Sequence, residues 1–429
     1  MSNIINDDNV EEIKEDPLLN VETTKKSKKK IIYIILASVL LLILLFFIIA
    51  VGLGKTVYSN DNSFSSIYIS EENTIIRLFN PELKNYISSM EVDYNEVEIT
   101  DEYFFSEQGK HKVKVILKER LNSTEKLFKG CTNLTEIDLS LLETKEVTTM
   151  AEMFYDCEKL TSVDFSKLDT SNVKNMSNLF NGCFNLESIA INNIVTSNVE
   201  YMDYMFFACI NLKSLNLNNI STINVRNMTG MFYLCNSLEK LEISNFNTSN
   251  VISMEMMFDS CRSLEYVNLT NFNTSQVEDM SYMFSSSSSL KSLDLTWFDT
   301  KNVEKMNNMF YGCASLKEID FSSFNTSNLK DMGNMFYNCK SITSLNLENF
   351  ITDKVENIGE AFSRCQQLSY INIRQLSIKN LNNKNINIFQ DVAKYGTIYF
   401  NSELLGLNLF EKSNIENWKK YDLAYIDTK

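Results

Sequence analysis

From residue 121 to 381 the apolar positions repeat every 26 residues. The unit at residues 254–279 reads "MEMMFDSCRSLEYVNLTNFNTSQVED". Its phenylalanine, Phe258, recurs at Phe128, Phe154, Phe180, Phe206, Phe232, Phe284, Phe310, Phe336 and Phe362, with no insertion or deletion. Three residues after each stands Cys131, Cys157, Cys183, Cys209, Cys235, Cys261, Ser287, Cys313, Cys339 or Cys365, so every cysteine of the chain sits at one phase of one repeat. A fixed period of this length is the mark of stacked coils, each too small to bury its apolar faces alone. Met and Phe that recur at constant phase are therefore core rungs; a cofactor box would occur once. Coils are numbered here by their phenylalanine, Phe128 marking coil 1 and Phe362 coil 10.

Two periodicities alternate inside the unit. Val267 and Leu269 lie two apart, as in a short strand. Val251, Met254, Met257, Phe258 and Cys261 fall at i, i+3, i+6, i+7 and i+10, which predicts one buried face of a short helix. The Thr-Ser-Asn before Val251 reads as its cap. The period and the L-x-x-L-x-L core place the unit in the leucine-rich-repeat class. The expected fold is α/β: a leucine-rich-repeat solenoid of ten 26-residue strand–helix coils over residues 121–381. Neighbouring helices would lie ~8–10 Å apart, beyond the ~7 Å Cα limit for a disulfide. The cysteines are thus expected as buried free thiols acting as small hydrophobes, and Ser287 at the same rung points to a volume role.

Outside the repeats the pattern changes. Residues 31–51, "IIYIILASVLLLILLFFIIAV", carry no charge and at ~1.5 Å per residue reach across a ~30 Å hydrocarbon core. The run "KKSKKK" at 25–30 precedes them. The positive-inside rule then predicts a signal anchor in the plasma membrane, type II, with residues 1–30 cytoplasmic and the repeats extracellular. Residues 52–72 read as a stalk. Residues 73–120 alternate like strands, with a turn at Gln108-Gly109, and read as a small β module over the first coil. Residues 382–429 read as a C-terminal cap, which a bare last coil requires.

Charge and composition narrow the chemistry. The net charge of −15 and pI near 4.8 argue against nucleic acid, whose phosphates need clustered Lys and Arg. His111 is the only histidine; this removes multi-histidine metal sites and most Ser–His or Cys–His nucleophiles. No Gly-rich phosphate loop occurs, and no carboxylate pair stands apart from the repeat. No catalytic residue, metal or cofactor is expected. Sequons such as Asn247 and Asn273 belong to the F-N-T-S turn of the repeat and diagnose nothing.

The units "LTSVDFSKLDTSNVKNMSNLFNGC" and "LKSLDLTWFDTKNVEKMNNMFYGC" resemble the BspA-like leucine-rich repeats of bacterial, mycoplasmal and protist surface proteins. The segments "FSEQGKHKVKVILK" and "GTIYFNS…NW" on either side are similar to that family's caps. The resemblance implies cell-surface display and adhesion to an extracellular protein or glycan, with no catalytic residues to carry over. Unlike the mycoplasmal members, this chain has no lipobox cysteine, its first cysteine being Cys131. In a leucine-rich-repeat fold the strand x positions form the exposed face of a continuous parallel sheet. The candidate ligand surface is therefore Glu136, Asp138, Asp164, Glu242, Asp294, Glu318 and Asp320, with Tyr266, Trp297 and Tyr370 as aromatic anchors. A coat or display protein without one defined ligand is the alternative.

Overall fold

The structure is a computed structural model and describes residues 62–383, 387–407 and 415–422. The expected anchor at 31–51 lies outside these residues, as do residues 1–30 and residues 52–61 of the stalk. Among the described residues no helix is long and apolar enough to cross a membrane. The single-pass, type II plasma-membrane placement is therefore withdrawn as a structural statement, since no described helix carries it.

The strand–helix coil is also corrected. Among the described residues the only helical turns are the short 3-10 segments Pro81–Tyr86 and Ser402–Leu407, and the repeats wind as a β-solenoid without α-helix. The segment expected as a helix is a ladder of turns. In coil 6 the N–H groups of Met254, Met256, Phe258 and Ser260 donate to the carbonyls of Asp279, Ser281, Met283 and Ser285, 25 residues on, at 2.7–3.0 Å. The N–H groups between them, on Met257, Asp259 and Cys261, donate three residues back, to Met254, Met256 and Phe258. A helix would spend every N–H inside its own segment. Here alternate ones tie coil to coil, and parallel bridges run unbroken from Thr149↔Asn175 to Asp331↔Asn357.

The ladder needs left-handed backbone twice per coil. Met256 and Ser260 have φ of 57° and 58°, and all ten coils repeat this at both phases. Only Gly130, Gly182, Gly230 and Gly312 are glycine among those positions. None of the others is Val, Ile, Thr or Pro, the residues for which this conformation is hardest to reach.

Side chains stack in columns over the ladder. The rings from Phe128 to Phe362 lie 5.4–5.9 Å apart and within 16° of parallel. Phe389 adds one more ring at 5.3 Å. Beside them each Cys Sγ from Cys157 onward donates to the Phe carbonyl of the coil before, as Cys183 does to Phe154 at 3.1 Å. Ser287 makes the same bond to Phe258 at 2.7 Å, so the rung selects a small buried donor, which volume alone did not reveal. All nine thiols are free and buried, and burial pushes Cys235 up to about 12. The helix-spacing reason given for free thiols does not hold, because the coils are bonded backbone to backbone. The repeat threonine is a clip and caps no helix: buried Thr170 donates to the Val195 carbonyl at 2.8 Å and accepts its N–H at 2.7 Å.

The strand side is looser. β1 (Ser63–Ser70), β2 (Thr74–Arg77), β3 (Ile87–Val92), β4 (Asn95–Val97), β5 (Glu102–Phe105) and β6 (Gly109–Leu117) precede the coils. β1, which falls inside the segment read as stalk, pairs antiparallel with both β6 and the first coil's strand, β7 (Leu134–Asp138). Phe64 of β1 meets Phe128 edge-on at 5.1 Å and closes the ring column. β8 (Ser162–Asp164) then pairs with β9 (Ser188–Ala190), and β10 (Ser214–Asn216) with β11 (Lys240–Glu242). β12 (Ser344–Asn346), β13 (Tyr370–Asn372), β14 (Thr397–Phe400) and β15 (Lys419–Asp422) form one parallel sheet at the far end. Coils 6, 7 and 8 have no strand at 266–268, 292–294 or 318–320, so the expected continuous sheet is interrupted. Ring spacings differ between the two sides: Tyr311 and Tyr337 on the turn side are 5.0 Å apart, whereas Phe246–Phe272 and Phe324–Phe350, after the strand, are 6.3 and 6.1 Å apart.

One column is broken by a charge. The row carrying Phe207, Tyr233, Tyr311 and Tyr337 has Asp259 and Ser285 in its middle. Asp259 is 7% exposed, and burial raises its carboxyl to about 6 against the hydrogen bond from Ser260.

Two outcomes test this fold. At Ser286, another left-handed position (φ 57°), Ser286→Gly is expected to raise the urea midpoint and Ser286→Val to lower stability by about 1–2 kcal/mol. A helix would penalise the glycine instead. Asp259 has a folded value above the ordinary ~3.9, so its contribution is full below pH ~4 and is lost as pH rises through about 6. Asp259→Asn should therefore remove a fall in thermal midpoint between pH 4 and 7. A difference between the two proteins that does not change with pH would contradict this.

Candidate recognition surface

The Asp/Asn row of the strand side has a local duty. Asp138 Oδ1 accepts the Ser140 N–H at 2.9 Å, Asp164 that of Ser166 at 2.7 Å, and Asp320 that of Ser322 at 2.8 Å. Asp294 Oδ1 takes both the N–H and the hydroxyl of Thr296, at 3.1 and 2.6 Å. Asn216, Asn268 and Asn346 make the same turn with the N–H two residues on. These are Asx turns that start the corner after the strand. The hydrogen bonds from Ser140, Ser166 and Thr296 hold Asp138, Asp164 and Asp294 below the usual carboxylate range.

The other expected residues divide. Glu136 is exposed and ion-paired with Lys110 at 2.8 Å, beside the N-terminal sheet. Tyr370 is half-buried and faces Tyr399 at 5.8 Å. Glu242 and Tyr266 come together with Glu239, Lys240, Glu265 and Asn268 around a groove of about 680 Å³. Glu318 is exposed on coil 8. A second groove of about 520 Å³, with Lys174, Glu200, Arg226 and Ile252, lies along another corner. Its asparagines Asn198, Asn224 and Asn250 already donate to carbonyls of the preceding coil.

Trp297 is the largest side chain at a variable corner. In three coils the equivalent residue, Asn245, Asn271 or Asn349, donates an amide to the carbonyl 27 residues back, at 2.9, 2.5 and 3.2 Å; the other coils carry Leu141, Lys167, Asn193, Asn219, Ser323 and Gln375 there, and Leu141 is 60% exposed. Trp297 stands where that amide would reach the Thr270 carbonyl. It forgoes the inter-coil bond and leaves its indole 65% exposed. Tyr266, in a row where five of ten residues are serine, is 58% exposed. Both sit on coils 6 and 7, where strand pairing lapses, Asp259 breaks an aromatic row and Ser287 replaces cysteine.

Sequence reasoning missed one cluster. His111 Nδ1 lies 2.7 Å from Asp93 Oδ2, and Nε2 lies 3.0 Å from Ser70 Oγ, with the ring stacked on Phe105 at 4.1 Å. The order is that of a hydroxyl–imidazole–carboxylate relay. Ser70, however, is fully buried, and its hydroxyl donates to the Glu107 carbonyl at 2.7 Å. No substrate reaches that oxygen. The cluster pins three corners: the end of β1, the β3–β4 turn and the β5–β6 turn. Among the described residues no group of His, Cys, Asp and Glu is placed to hold a metal.

Comparison with known proteins adds a family and little else. No curated protein matches. Among solved structures, the chain is similar to one titled "Crystal structure of TLR13-ssRNA13 complex", at 15% identity and a TM-score of 0.16. The match covers 65% of this chain and 52% of that one, so it spans about half the other's length, and a likeness this low carries no argument. The family model described as "Mycoplasma protein of unknown function, DUF285" matches three times in succession, at residues 121–216, 207–297 and 288–399. BspA-like membership in the narrower sense has no such match. Those three matches run end to end over the solenoid just described, and the chain belongs to the DUF285 repeat family.

Proposed function

We propose that this chain is a recognition protein, without catalytic activity, that binds a protein or glycan partner on the strand side of coils 6 and 7 around Trp297 and Tyr266. The observation that carries the reading is Trp297. At a corner that an asparagine amide stabilises in three coils, among them the preceding one, coil 7 instead carries a solvent-facing indole, and large aromatic residues are the side chains from which binding hot spots are most often built. Trading stability for an exposed contact residue is typical of functional positions. The interruption of strand pairing in the same coils and the groove beside Tyr266 support it. A display or coat protein, the other role open to a surface-type repeat family, gains nothing from such a trade.

The test is Trp297→Asn. Restoring the amide should raise unfolding stability by about 0.5–1 kcal/mol, read from the urea midpoint at constant slope. The same change should weaken by at least tenfold the capture of ligands found on mixed peptide and glycan arrays. A less stable variant would make Trp297 a packing residue, and unchanged capture would move the site elsewhere.

A further inference from the structure

We infer that the partner offers a cationic group, a Lys- or Arg-rich protein segment, to the face of Trp297. This deepens the proposed recognition role and rests on it. The molecule states its own rule for exposed aromatic rings. Among the described residues three tyrosines are more than half exposed, Tyr94, Tyr266 and Tyr395. Each has a lysine over its ring: Lys112 at 5.6 Å, Lys291 at 5.8 Å and Lys394 at 5.4 Å. At Tyr266 the arrangement is complete, for Lys291 also meets the Glu265 carboxylate at 2.6 Å. One ammonium is thus shared between a ring and a carboxylate on this very face.

Trp297 presents the indole, the best of the aromatic faces for a cation. Among the described residues no lysine or arginine lies over it. Asp294, three residues before it on the same corner, is a carboxylate with one oxygen committed to Thr296. The hydrogen bonds from Thr296 lower its value, so it remains charged well into the acid range. The surroundings have the matching sign. On coils 5 to 8 the exposed carboxylates Glu239, Glu242, Glu278, Asp294, Asp299, Glu318 and Asp320 outnumber Lys240, Arg262, Lys301 and Lys317, and Lys291, Lys305 and Lys330 are already ion-paired. With a net charge of −15 over the whole chain, the long-range field draws a basic segment in, and the indole decides where it stays.

The experiment uses the full chain and its own fluorescence. The protein has two tryptophans; Trp418 is 4% exposed and its indole N–H donates to the Ala393 carbonyl, so acrylamide-accessible emission reports Trp297. Hexalysine and hexa-arginine are titrated beside acetylated hexalysine and a neutral chitohexaose, at several salt concentrations. The expected result is saturable, salt-sensitive protection of Trp297 by the two basic peptides, at least tenfold weaker for the acetylated one. Trp297→Leu, apolar without a π face, should lose the binding tenfold or more as judged by anisotropy of labelled peptide, while Trp297→Phe retains part of it and Asp294→Asn weakens it several-fold. Equal binding by Trp297→Leu would reduce the effect to the protein's overall charge and sink both this inference and the site. Protection by chitohexaose or the acetylated peptide as strong as by the basic ones would overturn the cationic partner and leave the site standing. Absence of any basic-peptide binding would likewise overturn the partner class alone, the site then being judged by the array result of Trp297→Asn.

Discussion

Alternation of hydrogen-bond direction along the turn ladder is the constraint on which the molecule depends. Within the segment around each phenylalanine one N–H turns back three residues and the next reaches forward 25. That arrangement satisfies the backbone in its own coil and in its neighbour at once. It favours one fixed step between coils; only at the C-terminal end does the step lengthen, the Phe362 N–H reaching the Ile388 carbonyl 26 residues on and Phe389 following Phe362 by 27. The invariance of the 26-residue step over ten coils follows from it. So does the spacing that brings phenyl rings to 5.4–5.9 Å and a thiol within reach of the previous coil's carbonyl. Stability then comes from nearest-neighbour terms repeated down the stack, with the ends closed by Phe64 on one side and by Phe389, β14 and β15 on the other.

The period, the ring column and the buried thiols were legible in the sequence because they depend only on which positions recur. The helix was not, and the reason is geometric. Apolar positions at i, i+3, i+6, i+7 and i+10 mark one face of a helix, and they equally mark the inward residues of successive three-residue turns. Periodicity alone does not separate the two. What separates them is the residue set at Met256 and Ser260 and their equivalents, where twenty positions accept Lys, Glu, Tyr, Asn, Ser, Arg and Gly but no β-branched residue. A buried threonine at every Thr-Ser-Asn was a second signal. A helix cap is partly solvated, whereas these side chains are sealed between coils. The continuous sheet failed in coils 6, 7 and 8, whose strand segments carry the same alternation as the paired coils, so no single unit announces the interruption.

The site shows the reverse relation. Its aromatic residues could be picked from the sequence, yet their meaning required the ladders. The acidic row looked like a recognition strip, and most of it is turn chemistry: Asp164, Asp294 and Asp320 serve the N–H two residues on, as asparagine does in neighbouring coils. Trp297 looked like one more variable position until the residues at its place in the two preceding coils, Asn245 and Asn271, proved to be amide donors. Ser70, His111 and Asp93 are 41 and 18 residues apart in pairs, and no pattern in the chain announces that a cap sheet folds them together.

In a structure built from one repeated unit, departures carry more information than agreement. Each ladder position has a side chain that suits it, and substitution there is a loss for the stack. Random drift would scatter such losses evenly. Here Asp259 and Trp297 fall within two adjacent coils, on the stretch where strand pairing has also lapsed. A local weakness on one face and an unpartnered indole on the same face have a single physical reading. The turn ladder on the opposite side holds the stack together well enough that coils 6 and 7 are free to give their outer corner to something other than the fold.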